Sequence, residues 1–416
     1  AVYFGEKALD ILSGNRAIEK REEAVIHSQM GNAYISLGLY RKAIEKYFSA
    51  IELKKADIGS NPYLASEYAN LAVCYLYLLD YDLAKKYAFQ SLEMKREYFQ
   101  ENHLSTAYGY NLAGVLLNYL QDHQQSIKNH HKAKRIYENI LGLESRKALD
   151  QHRHISSNFT NLGNYDSALW HMQHIRNIYA KNYANDLRSA ARQYSELANI
   201  HLLKYANSPS EMSVDLSMKY LDSLAAYFDH TTSDIVLQGD YYIMKSKILR
   251  HLGAYEKALL SCQKGLSIVS PGLPEKDFSK NPVADSTADL KNAAVWLLEQ
   301  KIDCLIDFSI QSGRSDELDL LIDKAFQSFD LLVENILITS FSGEANVSFL
   351  EEFMGPYNSY IKFLSSNPGK ETDKKLLESI QKIKAKTFRF YTRLKKWKGD
   401  KKKGELELQV LLEQLE

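Results

Sequence analysis

The sequence predicts an all-α protein: a solenoid of helical hairpins, with a non-repeating helical segment towards its C-terminal end. Three observations carry this. Proline is scarce, at 7 of 416 residues, and alternating β-branched runs are absent. One skeleton recurs: a turn, a Tyr, two residues, a small residue, and a second small residue seven later. It is read in Leu37–Leu53, Leu78–Met94, Leu162–Ile178 (with Ile175 at the second small position) and Leu252–Ile268, with Gln121–Tyr137 as a degenerate copy carrying His123 and Ser126 at the Tyr and first small positions. Finally, the spacing is regular: 41 residues separate Gly31, Ala72 and Ala113, 41 separate Ala43 and Ala84, and 42 separate Ala84, Ser126 and Ala168 in turn.

Physical reasons attach to each element. Two antiparallel helices approach closely only where neither side chain intrudes, so Gly31, Ala72, Ala113 and Ala198 on the first (A) helices are expected to face the small residues of the second (B) helices. Tyr34, Tyr47, Tyr75 and Tyr81 are expected to fill the spaces between hairpins, each of which leaves an apolar face for its neighbour to cover. Tyr3–Leu12 fits only a B helix, so residues 1–23 read as a partial first repeat and 24–269 as about six repeats. In the fifth, the stretch from Lys204 to Val214 is expected to lengthen the turn. Residues 270–290 hold three of the seven prolines without periodicity and read as a long loop; 291–340 form a divergent hairpin. Residues 341–416 read as a helical adaptor, in which Phe349, Phe353, Tyr357, Tyr360 and Phe363 recur at helical spacing and Gly355-Pro356 is expected to bend the helix.

Composition narrows function. The 52 basic and 52 acidic residues cancel, which removes any global argument for nucleic acid or an anionic membrane. No apolar run approaches the ~18 residues of a membrane helix. Cys74, Cys262 and Cys304 are far apart in apolar stretches, as suits reduced core thiols of a cytoplasmic protein. No P-loop or Rossmann glycine pattern occurs, and no cofactor is implied.

The pattern Met30-Gly31, Tyr34, Gly38-Leu39-Tyr40, Ala43, Tyr47 and Ala50 resembles the tetratricopeptide repeat (TPR) family, with the longer unit of the kinesin-light-chain type. Further along, Pro271-Gly272-Leu273, Asp277-Phe278, Asn281-Pro282, Trp296-Leu297-Leu298, Ser342-Gly343-Glu344 and the basic helix Lys382–Trp397 resemble the TPR half of CHAT-domain proteins, caspase-like proteases fused to such repeats. That resemblance implies bacterial defence. It also implies a protease domain beyond residue 416 carrying the catalytic His and Cys, with none in this chain. The partners it implies are that downstream protease and, as in one architecture of the family, the RNA-guided ribonucleoprotein effector of type III-E CRISPR systems.

Three candidate sites arise from the residues themselves. Asparagine is a poor interior helix former, so several on one face need a reason. Counting from the small residue of each A helix places Gln29, Asn32, Asn70, Tyr77, Tyr110, Asn111, Asn118, Arg153, Asn161, Arg192, Glu196 and Asn199 in the concave groove. Asn amides there can clamp the backbone of a protein or peptide partner, or simply bond within the array. Seven histidines lie between His123 and His174, but without Cys or Glu-x-x-His they read as polar surface and satisfied core groups, and no metal is assigned. Lys370–Lys403 carries 14 Lys/Arg against 4 Asp/Glu, with aromatics interleaved. A solvated helix face is the preferred reading over RNA contact.

Two functions follow. One is the scaffolding and regulatory region of a CHAT protease; the other is a peptide-responsive regulator or cargo adaptor with no protease.

Overall fold

The computed structural model describes residues 20–58, 62–78, 80–228, 234–282, 288–313, 315–340, 354–366 and 372–382, with Tyr3, Glu6 and Lys7 before them. Among the described residues there is no strand. The named helices are α1 (Lys20–Ser36), α2 (Tyr40–Ile58), α3 (Pro62–Tyr77), α4 (Tyr81–Phe99), α5 (Leu104–Tyr119), α6 (His123–Leu141), α7 (Arg146–Asn161), α8 (Tyr165–Asn182), α9 (Leu187–Asn207), α10 (Glu211–Phe228), α11 (Ile235–His251), α12 (Tyr255–Val269), α13 (Ala288–Ser312), α14 (Asp316–Ser340) and α15 (Met354–Ser365). They fall into two compact units, Ala1–Lys204 and Tyr205–Glu416.

A three-residue turn joins each A helix to its B helix, as at 37–39, 120–122, 162–164 and 252–254. In three of these turns the middle residue is left-handed, Gly38, Gly163 and Gly253 taking φ +71°, +72° and +70°. In the degenerate copy Gln121 takes this conformation at φ +60°. The residue after it caps the B helix: Asp80, Asp122 and Asn164 accept from the amides of Leu83, Gln125 and Ser167 at 3.1–3.2 Å. The 204–214 stretch does not lengthen its turn as expected. The turn there is again three residues, 208–210, and α9 is instead drawn out to 21 residues.

In unit 1 each of α1 to α7 packs on the helix that follows it, and α1, α3, α5 and α7 also touch one another in sequence, as expected for A helices lining one side. Ala43, Ala50, Ala84, Ala113 and Ala168 are fully buried. Gly31 does different work from the helix contact expected of it, and Gly114 does the same. A Cβ on Gly31 would lie 2.7 Å from the Tyr47 ring, and one on Gly114 would lie 2.6 Å from His130 Nε2. Both glycines hollow a slot for a ring from the paired B helix. The polar substitutes at small positions are satisfied locally, with Ser126 Oγ donating to Gly114 O at 2.7 Å and Ser156 Oγ to Ala168 O at 2.9 Å.

Unit 2 has its core between α11 and α15, with Leu297, Leu298, Ile302, Phe329 and Leu332 wholly buried. The loop after α12 ends at α13, which starts at Ala288, within the 270–290 expected as loop. It is pinned from beneath. Gln263 Nε2 donates to Pro274 O (3.0 Å) and Lys280 O (3.2 Å), and the fully buried Lys301 Nζ donates to Gln263 Oε1 (2.7 Å), Asn281 Oδ1 (2.8 Å) and Lys280 O (3.3 Å). Ser328 Oγ donates to Pro282 O. Of the expected aromatic row, Tyr357, Tyr360 and Phe363 are buried against α14, where Asp330 and Asp323 accept from the tyrosine hydroxyls at 2.7 Å. Gly355 and Pro356 lie in the first turn of α15, where a missing amide N–H loses no bond. Phe349, Phe353, Ser342-Gly343-Glu344 and most of the basic stretch lie outside the described residues.

Candidate partner-binding groove

Unit 1 gathers the groove residues into three settings. In the first, amides bond across successive A helices. Asn70 Nδ2 on α3 donates to Asn32 Oδ1 on α1 at 3.3 Å, and the Tyr47 hydroxyl donates to the same oxygen at 2.7 Å. Two repeats on, Asn161 Nδ2 on α7 donates to Asn118 Oδ1 on α5 at 3.3 Å. His123 Nδ1 donates to Asn118 Oδ1 (3.0 Å) and to Asn158 Oδ1 (3.1 Å), a use for the odd histidine of the degenerate repeat. Tyr77, 47% exposed, stacks on Tyr40 with ring centres 4.7 Å apart. The asparagines are therefore rungs of the array, with Asn32 and Asn161 at the surface.

The second setting corrects the register. Tyr110 is 2% exposed, and its hydroxyl donates to Glu101 Oε1 at 2.6 Å. Burial, together with that bond, pushes the Tyr110 phenol up to about 12. It is a core residue and faces no groove. Asn111 is half-buried with its Oδ1 enclosed and unbonded, one turn from Gly114.

The third is a cleft of about 250 Å³ between α7, α8 and α9. Leu149, Met172 and Ile175 form its apolar floor, each no more than 3% exposed. Arg153 and Arg192 line it with Glu196, Asp150 and Tyr179. Among the described residues neither guanidinium has a carboxylate within ion-pair distance, whereas Arg146 at the rim holds Asp186 at 2.8 Å. Burial pushes the Glu196 carboxyl up, and Arg153 and Arg192 oppose the shift without cancelling it. The cleft thus offers two guanidinium groups, an apolar floor and a carboxyl of raised proton affinity. Gln29 is exposed away from it and Asn199 is half-buried on α9.

Sequence reasoning named Arg153, Arg192 and Glu196 but not Arg146, Asp150 or Tyr179. The first two share a helical face with Arg153 at spacings of seven and three, a signal present in α7 but hidden behind the count from one small residue.

Other chemistry is limited. All three cysteines are buried, and burial pushes the Cys262 thiol up to about 11 and the Cys304 thiol higher still. Among the described residues no three His, Cys, Asp or Glu groups are placed to hold a metal ion, and no helix is long and apolar enough to cross a membrane.

No family model matches the chain, and no curated protein matches it. Similar solved structures include the apo form of RapI (TM-score 0.52, 14% identity, covering 75% of this chain and 97% of that one). A tetratricopeptide repeat protein from Parabacteroides merdae ATCC 43184 is similar at TM-score 0.45 and 13% identity, over 74% of this chain and 100% of that one. BtubC (BKLC) from P. vanneervenii is similar at TM-score 0.46 and 15% identity, over 54% and 91%. The chain is a helical-hairpin array of tetratricopeptide type.

Proposed function

We propose that the chain is a protein–protein interaction scaffold that holds an extended segment of its partner along the A helices of unit 1. The single observation that carries this is the α7–α8–α9 cleft, with two guanidinium groups lacking an ion-pair partner above an apolar floor. Such a site suits a backbone carbonyl or carboxylate beside an apolar side chain. The sequence resemblance to CHAT-domain proteins supports a finer reading. In it the chain is the regulatory region of a caspase-like protease of bacterial defence, docking on its own protease domain or on an RNA-guided effector. The pinned 270–282 loop, which carries motif residues of that resemblance, and the packing of α15 on α13 support this reading.

A peptide-responsive regulator with no protease is the second reading. The size of the cleft favours it, since about 250 Å³ accommodates one or two side chains rather than a folded surface. The test is a pull-down with the full-length gene product, wild type against Arg153→Ala/Arg192→Ala. Loss of the bound species in the double variant, with unchanged thermal unfolding, is expected; equal recovery by both proteins overturns the groove assignment. A ribonucleoprotein among the groove-dependent species supports the defence reading, and a short peptide alone supports the second.

A further inference from the structure

A cluster of titratable groups in unit 1 is used by neither reading. His130 on α6, His152 on α7 and His171 on α8 are 0%, 2% and 6% exposed, and His131, His154 and His174 surround them. Their contacts suit neutral rings only. His130 Nδ1 donates to Gln151 Oε1 at 2.9 Å, leaving Nε2 enclosed in the slot over Gly114 with nothing to accept a proton from it. His152 Nδ1 meets His171 Nδ1 at 2.8 Å, a contact that holds one shared proton; a second would set two N–H groups against each other. His152 Nε2 is enclosed and unbonded. The rings of His130 and His154 stack at 4.7 Å, and those of His152 and His174 lie 4.5 Å apart, with Trp170 stacked on His174.

The charged groups facing the cluster do not help a proton in. Lys134 from α6 faces His131, His152 and His171, and Arg153 from α7 faces His130 and His154. Among the described residues the one facing carboxylate is Glu138, which lies 3.8 Å from His152 Nε2 and is already held by Lys134 at 3.1 Å. Burial first, then these cations and the neighbouring rings, drives the imidazoles down, to about 4 for His130 and His171 and about 3 for His152 and His154.

We propose that the packed imidazoles of α6, α7 and α8 form an acid-sensitive seam, which holds these hairpins in register at neutral pH and lets them separate on acidification, dismantling the groove at Asn118, Arg153 and Asn161. The opening of the seam stands on the cluster alone; its effect on a partner rests on the groove reading above.

The direction follows from linkage. An imidazole depressed in the folded chain contributes stability that is whole above the unfolded value near 6.5 and is lost as pH falls below it. Between neutrality and pH ~5, each imidazole freed by opening multiplies the opening constant about 25-fold. Two freed together give several hundred-fold, on the order of 600.

Hydrogen exchange on the full chain tests this, at pH ~7.5 and ~5 and corrected for intrinsic rates. Protection across α6–α8 is expected to fall by at least about 100-fold relative to α3 and α4, which contain no histidine. Equal loss in both segments, or none in either, overturns the seam. His171→Gln keeps one amide bond to His152 and is expected to shrink the difference; an undiminished difference in that variant also overturns it, and if the variant does not fold, the wild-type profile decides. A partner that stays bound at Arg153 with the seam open counts against the groove reading and leaves the seam intact.

Discussion

Each unit buries basic groups, and the two do so in opposite ways. In unit 2 the ammonium of Lys301 is enclosed with an oxygen acceptor for each of its three protons. In unit 1 the imidazoles are enclosed with fewer acceptors than a charged cluster would need. Burial pushes Lys301 down to about 8, so at pH 7 it is still charged in the folded chain and its desolvation cost is already borne. His130, His152, His154 and His171 are held well below the usual imidazole range and are neutral at pH 7, so their cost is deferred until acid. A buried charge with every proton bonded fastens a loop; a buried base without acceptors makes a joint that depends on pH.

Breaking the fastened side should have the largest effect. Lys301→Met leaves Gln263 Oε1, Asn281 Oδ1 and Lys280 O without their donor, and is expected to destabilise unit 2 by about 3 kcal/mol, read by urea unfolding. Cleavage within 270–282 by added protease should accelerate in parallel. Raising the pH from 8 towards 10.5 should stabilise the wild type, because the folded chain releases the Lys301 proton first, and this rise should be absent in Lys301→Met.

Gly114→Ala tests the other side. The new Cβ meets the His130 ring, and a loss of about 2 kcal/mol in unit 1 is expected by thermal unfolding at pH 7. Gly31→Ala, against Tyr47, should lose a similar amount with no change in its pH dependence. Equal pH dependence in the two variants would argue against a special role for His130.

The smallest effect sharpens the comparison from the turn. Gln121→Gly relieves a left-handed glutamine beside the seam and should stabilise unit 1 by about 0.5–1 kcal/mol, measured as a higher urea midpoint.

The repeat was legible because its causes are local. Leu37-Gly38, Leu162-Gly163 and Leu252-Gly253 mark turns by backbone geometry, and Asp80, Asp122 and Asn164 cap the helices that follow. The ring slots over Gly31 and Gly114 were not legible, since a glycine gives no sign of whether an alanine or a ring fills the space it leaves. The growth of the 204–214 stretch into α9 was hidden too, because Ser208-Pro209-Ser210 reads equally well inside a long loop or a short one. In the site, register found Arg153, Arg192 and Glu196, whose cleft needs only helical phase. It misplaced Tyr110, because helical phase does not reveal the hydroxyl's reach to Glu101.

The amide rungs Asn32–Asn70 and Asn118–Asn161 bear on how quickly a guest would leave. A peptide that takes the same donor and acceptor must first break the amide–amide bond of the rung, so a bond gained there replaces one already present and the net enthalpy is near zero. The rungs can then enforce the spacing of an extended backbone without adding much grip. Residence time would be set at the α7–α8–α9 cleft, and sequences that fit the ladder but lack the anchor would be sampled and released.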